Sequence, residues 1–219
     1  MLVEKYTYQP LERIKTEAGR LYQTPSGDPV PSVTTILDKT ADKTFLENWR
    51  KRVGTEEAQR ISTQSAGLGT AMHKMLEDHI LTNKPPQGNL IATAMAKAVI
   101  REGLTSVDEV WGVEVGLYAE GLYGGTTDAV GVYEGKPAII DFKNSRRLKR
   151  KEWIGDYFLQ AVAYSMAHNE MYGTNIRKGV IMIATHEAQY QSFTIEGIDF
   201  DKKCEEWAKR IEEYYSRFR

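Results

Sequence analysis

The spacing of apolar residues changes along the chain and divides it into segments of different period. Leu11 to Ile14 and Arg20 to Thr24 read as two short strands joined across Glu17 to Gly19, with a Pro- and Gly-containing loop from Pro25 to Pro29 after them. From Ser32 to about Asn83 the spacing is helical. It runs through Val33, Ile36 and Leu37, then Phe45, Leu46 and Trp49, then a longer amphipathic stretch with Met72, Met75, Leu76 and Ile80 that Pro85 and Pro86 end. A further helix is expected from about Leu90 to Ile100, ending around Glu102 and Gly103. Glu109 to Tyr118, Leu122 to Tyr133 and Pro137 to Phe142 are rich in Val, Ile, Tyr and Trp and are separated by glycine breaks, which predicts a three-strand meander. Glu152 to Tyr172 returns to helical spacing, Lys178 to Thr185 and Tyr190 to Ile195 read as two more strands, and Asp199 to Tyr215 as a closing amphipathic helix. This order is neither a regular βαβ alternation nor all-β. The expected fold is α+β, a central mixed sheet flanked by helices.

A chain of 219 residues is long enough for one domain with a sizeable core, here an N-terminal hairpin and helical region over 1–105 and a sheet-centred core over 106–219. Hydrophobic residues at 41% and charged residues at 27% exclude disordered and fibrous classes. The lone Cys204 excludes an internal disulfide and any four-cysteine zinc or iron–sulfur site, and it points to a reducing compartment. No apolar stretch approaches the roughly 20 residues of a membrane span, and the N-terminus lacks the features of a targeting peptide, so a cytosolic location is expected by default. The formal net charge of −1 excludes a uniformly basic DNA-coating protein. Its distribution is uneven, because Arg146, Arg147, Lys149, Arg150 and Lys151 crowd one short stretch.

Asp128 falls on the second meander strand, and Asp141 and Lys143 fall on the third. Strand alternation puts the last two on one face, where the adjacent strand can bring Asp128 beside them. Two adjacent carboxylates repel unless a cation such as Mg²⁺ or Mn²⁺ lies between them, which makes a metal site; the other reading of an Asp-x-Lys is a surface ion pair. The acid follows Ala138, Ile139 and Ile140, a run that reads as a buried strand, so it is expected at the mouth of the core. Gln160 and Tyr164 lie four apart on one helix face. His73 follows Gly67 and Gly69 near a predicted helix start, where a neutral imidazole can ligate a metal.

The ordered set of His73, Glu114, Tyr-x-Gly-x-x-Asp ending at Asp128, Ile-Ile-Asp-Phe-Lys ending at Lys143, and Gln-x-x-x-Tyr from Gln160 to Tyr164 resembles the RecB-like branch of the PD-(D/E)XK nuclease superfamily. Within that branch it is similar to the mitochondrial genome maintenance exonucleases and their phage and bacterial relatives, over about residues 30 to 215. The resemblance implies a restriction-endonuclease-like core with a helical N-terminal region, in a bacterial or phage-infected cell. It implies that His73, Asp128, Asp141 and the Phe142 carbonyl hold one or two Mg²⁺ or Mn²⁺ ions, that Lys143 orients a water, and that Glu114 supports the site or a second metal. It further implies that Gln160 and Tyr164 meet the DNA backbone. Ser145 and the cations Arg146, Arg147, Lys149, Arg150 and Lys151 are expected to bind DNA beside them, although Asn144 stands where relatives commonly have threonine. The expected function is a metal-dependent DNA exonuclease acting on single strands or free ends in replication, recombination or repair. The alternatives are a flap endonuclease on the same core and a non-catalytic nucleic-acid-binding module. The chain is expected to act alone or beside a recombinase, a single-strand binding protein or a polymerase. Trp49 and the cations Arg50, Lys51 and Arg52 suit a single-strand clamp, with Trp49 itself read as core.

Overall fold

The computed structural model describes residues 2–17, 19–25 and 27–218; Ala18 and Ser26, inside the turn and the loop expected above, lie outside them. Arg13–Thr16 (β1) and Gly19–Gln23 (β2) form the expected antiparallel hairpin. β2 also pairs with Pro29–Pro31 (β3), giving a small three-stranded sheet where the sequence suggested only a loop. Two prolines disguise β3, and an edge strand tolerates them because its outer N–H groups need no partner.

The helical region comprises four α-helices among the described residues. Val33–Thr40 (α1) is capped by Ser32, whose hydroxyl accepts from the Thr35 amide at 2.9 Å. Thr44–Val53 (α2) and the 28-residue Thr55–Thr82 (α3) are separated by Gly54, whose φ of +86° is costly for any residue with a side chain. α2 has no buried residue, and Trp49 is half-exposed, so Trp49 is not core. Leu90–Ala98 (α4) continues into a π-helical turn over Val99–Gly103.

The main sheet has five strands in the order Val107–Ala119 (β4), Tyr123–Tyr133 (β5), Lys136–Ser145 (β6), Lys178–Thr185 (β7) and Tyr190–Glu196 (β8). β4, β5 and β6 form the antiparallel meander, β6 and β7 pair in parallel, and β8 returns antiparallel, so the sheet is mixed as expected. Gly155–Tyr172 (α5) is the crossover that the parallel pair requires, and Gly197–Phe218 (α6) closes the chain. One face of the sheet packs Val130, Ile139, Ile181 and Ile183 against α1, α5 and α6, with Trp207 and Phe158 at its centre. The other packs Ile140, Phe142, Val180 and Met182 against Met72 and Leu76 of α3 and Met95 of α4. Burial on both faces explains the continuous apolar run of β7. Among the described residues no helix is long and apolar enough to cross a membrane.

Candidate active site

β5 and β6 stop pairing after Ala129 and Ile140, and the acids lie just beyond that point. Past the last pair the Phe142 amide N–H donates to Asp128 Oδ2 at 2.6 Å, so the strand carrying Asp141 fixes the neighbouring acid. Phe142 thus meets the site through its amide. His73 Nδ1 stands 3.1 Å from Asp128 Oδ1. Burial pushes the Asp128 carboxyl up, but the His73 hydrogen bond and charge, the Lys143 charge and the Phe142 amide outweigh it and leave the group below the usual range.

Alternation along β6 brings Asp141 and Lys143 to one side, with Lys143 Nζ 2.5 Å from Asp141 Oδ2. The contact is a buried ion pair. Asp141 is 1% exposed, and burial raises its carboxyl to about 6 against the pull of Lys143, with the charge of Asp128 adding to the rise. Burial also disfavours charge on Lys143, yet Asp141 and Asp128 hold its ammonium above the ordinary value. The Lys143 ammonium lies 5.2 Å from the Tyr157 ring centre.

Glu114 reaches the site through an irregular backbone. β4 shifts register between Val110 and Gly112, and Glu114 itself has φ of +51°, a left-handed conformation that costs a residue with a side chain on the order of 1 kcal/mol. Ligand atoms of His73, Glu114 and Asp128 all lie within 4.8 Å of one another. Burial, then the Asp128 charge, raises the Glu114 carboxyl. Two carboxylates and an imidazole converging in this way, beside the buried Asp141–Lys143 ion pair, suit a hard divalent cation such as Mg²⁺ or Mn²⁺.

His73 sits in the second half of α3, many residues from its start at Thr55, which corrects the expected position near a helix start. Gly67 and Gly69 did not mark a terminus. Gly69 permits contact: a Cβ there would lie 2.8 Å from Asn144 Oδ1, and Asn144 Nδ2 donates to Ser65 O at 2.9 Å. α3 therefore lies directly on β6, and His73, one turn beyond Gly69, reaches Asp128.

His73, Glu114, Asp128 and Lys143 open onto a cleft of about 550 Å³ that Gln160 and Tyr164 of α5 also line, with Asp141 buried behind the lining. Tyr164 is buried against Gly125, where no side chain would fit beside its hydroxyl, whereas Gln160 is half-exposed. Ser145 is buried, and its hydroxyl donates to Arg147 O at 2.7 Å, so it shapes the turn that begins the basic run. That run lies outside the cleft lining. Arg146, Arg147, Arg150 and Lys151 are exposed, and Lys149 is tied at its backbone to Gln191, donating to Oε1 at 2.5 Å and accepting from Nε2 at 3.2 Å. Lys151 pairs with Asp199 at 3.6 Å, and Arg150 lies 5.4 Å from the centre of the exposed Trp153 ring. Sequence reasoning missed Arg13, Arg20, Thr34 and Lys74 as lining residues; no local signal ties the hairpin to the sheet.

No family model matches the chain. It is 31% identical over 205 residues to "Mitochondrial genome maintenance exonuclease 1" of Mus musculus and 30% identical over 206 residues to the protein of that name from Homo sapiens. Both matches cover 84% of this chain, and the chain spans only 59% and 58% of those relatives. The crystal structure of a candidate exonuclease from Eubacterium rectale aligns with a TM-score of 0.44 and 14% identity, covering 86% of this chain and 73% of that one. The two relatives are mammalian and are named for mitochondria, which is at odds with the bacterial or phage setting expected above.

Proposed function

We propose, from the premise that the chain is a PD-(D/E)XK-like nuclease related to the mitochondrial genome maintenance exonucleases, that it is a metal-dependent DNA exonuclease acting on single strands or free ends. One observation carries the reading: His73, Glu114 and Asp128 converge beside the Asp141–Lys143 pair at the end of a strand pair, in an open cleft. A divalent cation bound there supplies charge stabilisation for a phosphate and lowers the pKa of a coordinated water. His73, Asp128 and Glu114 hold it, with Asp141 adjoining. The Phe142 amide occupies one oxygen of Asp128 and leaves the other toward His73 and the cleft. Lys143, kept charged by Asp141, presents donors that orient the attacking water and stabilise charge developing on the phosphate. In the nuclease superfamily that the chain resembles, such hydrolysis leaves a 5′-phosphate and a 3′-hydroxyl.

Gln160 offers an amide to the strand, Tyr164 braces it from below, and the run from Arg146 to Lys151 draws the phosphate backbone toward the cleft. We read residues 1–219 as one nuclease domain in which the helical region over 1–105 restricts access. α2 supports that reading, because it has no buried residue and carries Phe45, 81% exposed, together with Arg50, Lys51 and Arg52 in its last turn. Such a surface suits an unpaired strand that threads from an end. The test compares end-labelled linear single-stranded DNA with the same strand circularised, each with Mg²⁺ or Mn²⁺ and with Asp141→Ala as control. Loss of the linear form alone is the expected result. Cutting of the circle moves the assignment to endonuclease, and no metal-dependent cutting of either form leaves a binding module.

A further inference from the structure

The hairpin of β1 and β2 carries three cations on one face. Lys15 stands directly opposite Arg20, Arg13 stands opposite Tyr22, and strand alternation places all four side chains on the same side. Tyr22 is 3% exposed, its hydroxyl 3.3 Å from Thr126 Oγ1. The face that bears the cations is therefore the one turned toward the central sheet. Among the described residues none of the three side chains makes an ion pair or a hydrogen bond. Arg13 is near enough to Glu114 to pull its pKa down, but the two are not paired.

Like charges directly opposite one another destabilise a pair of strands, so Lys15 and Arg20 cost stability in the free protein. An anion lying across them reverses that cost. Arg13 and Arg20 line the same cleft as Glu114, Asp128 and Lys143, with the Thr34 hydroxyl beside them at the first turn of α1. One wall of the cleft thus gathers acids suited to a cation, and another presents unpaired guanidinium groups. A phosphodiester strand meets both demands at once.

We infer that Arg13 and Arg20, with Lys15 behind them, form a phosphate clamp that grips a phosphodiester next to the one held at the acids. The inference rests on the nuclease reading of the site. A guanidinium fork binds two phosphate oxygens together, which fixes position as well as charge. The clamp sets the register of the strand against the acids, whereas the run after β6 lies outside the cleft and gathers the strand from further away.

The test uses the full chain and the double variant Arg13→Ala/Arg20→Ala. Binding of labelled oligo(dT) is followed by fluorescence anisotropy in EDTA across a series of NaCl concentrations, and hydrolysis of linear single-stranded DNA is followed in Mn²⁺. The slope of log Kd against log salt should flatten by about 1.4, since each single-strand phosphate contact contributes about 0.7. KM should rise about tenfold or more while kcat stays within about threefold. Arg13→Lys/Arg20→Lys should keep the slope but recover only part of KM, because it keeps the charge and loses the fork. The melting temperature of the double alanine variant should be no lower than that of the parent, since a like-charge contact is gone; a drop of several degrees assigns the arginines to structure and overturns the clamp. Lys97→Ala, an exposed cation on α4, serves as control and should alter neither slope nor KM. Unchanged slope and KM in a protein that still digests DNA overturn the clamp and leave the nuclease reading standing. If the parent binds the strand without digesting it, the nuclease reading fails and the slope alone decides the clamp. If it does not bind the strand at all, both fall.

Discussion

Gly69 of α3 lies so close to Asn144 of β6 that a Cβ at its position would stand 2.8 Å from Asn144 Oδ1. Alanine in place of glycine inside a helix ordinarily stabilises by about 0.5–1 kcal/mol, so the sign of the change is informative here. Gly69→Ala should lower the melting temperature, because α3 must lift or Asn144 must leave Ser65. It should also weaken Mn²⁺ binding about tenfold as His73 moves away from Asp128. Gly67→Ala, with nothing within 4 Å of its Cβ, should raise the melting temperature and leave metal affinity alone. Thermal melts and calorimetric titration of both variants check the pair, and a stabilised Gly69→Ala protein contradicts the contact.

If His73, Glu114 and Asp128 hold one cation jointly, His73→Ala, Glu114→Gln and Asp128→Asn should each weaken Mn²⁺ binding by about tenfold or more, measured without DNA. Asp141→Asn should lower turnover by about a thousandfold, equivalent to about 4 kcal/mol of barrier, while DNA binding persists. Glu114→Gln with unaltered Mn²⁺ affinity takes Glu114 out of the ligand set.

The basic run should not act as a uniform patch. Arg146 and Arg147 are exposed and, among the described residues, make no ion pair, whereas Lys151 faces Asp199 at 3.6 Å. Neutralising Arg146 and Arg147 together should flatten the salt dependence of single-strand binding by about 1.4, and Lys151→Ala should change it by less than the 0.7 of a full contact. Equal effects per residue in the salt titrations count against this distinction.

His168 on α5 gives a pH dependence distant from the acids. It is buried among Tyr6, Tyr8, Trp111 and Tyr172, with Nε2 2.9 Å from the Tyr8 hydroxyl and Nδ1 2.8 Å from Thr174 Oγ1, and burial lowers its pKa to about 4. The folded state therefore resists a proton that the unfolded chain accepts near 6.5. Its contribution to stability is complete above about 6.5 and is lost as pH falls toward 4, amounting to roughly 1–2 kcal/mol between pH 7.5 and 5. His168→Gln should be less stable at pH 7.5 but lose less of its urea midpoint on going to pH 5. Parallel losses in the two proteins exclude His168 as the source.

The main sheet was legible because its signals are local. The change from helical spacing to β-rich runs at Glu109, and back at Glu152, follows directly from what each strand or helix buries. Asp141 and Lys143 were equally accessible, since alternation along one strand settles which face they share. What escaped depends on contacts between distant segments. β3 exists because β2 offers it an edge, and no pattern within Pro29 to Pro31 announces that. Gly69 looked like a helix start, whereas its hydrogen atom is there for Asn144, 75 positions further along the chain. Glu114 turns inward through a left-handed kink that its own residue type disfavours. Arg13 and Arg20 reach the cleft because distant segments dock the hairpin, Tyr22 against Thr126 of β5 and the Arg20 backbone against Thr35 of α1.

The parallel pairing of β6 with β7 also governs when the site can come into being. β7 begins at Lys178, after the whole of α5, so a growing chain that has reached only Tyr172 already contains His73, Glu114, Asp128, Asp141 and Lys143. In that chain β6 is an outer edge without its later neighbour, and the burial that raises Asp141 is incomplete. The topology therefore makes the finished constellation depend on a strand that follows every one of its charged residues in the chain.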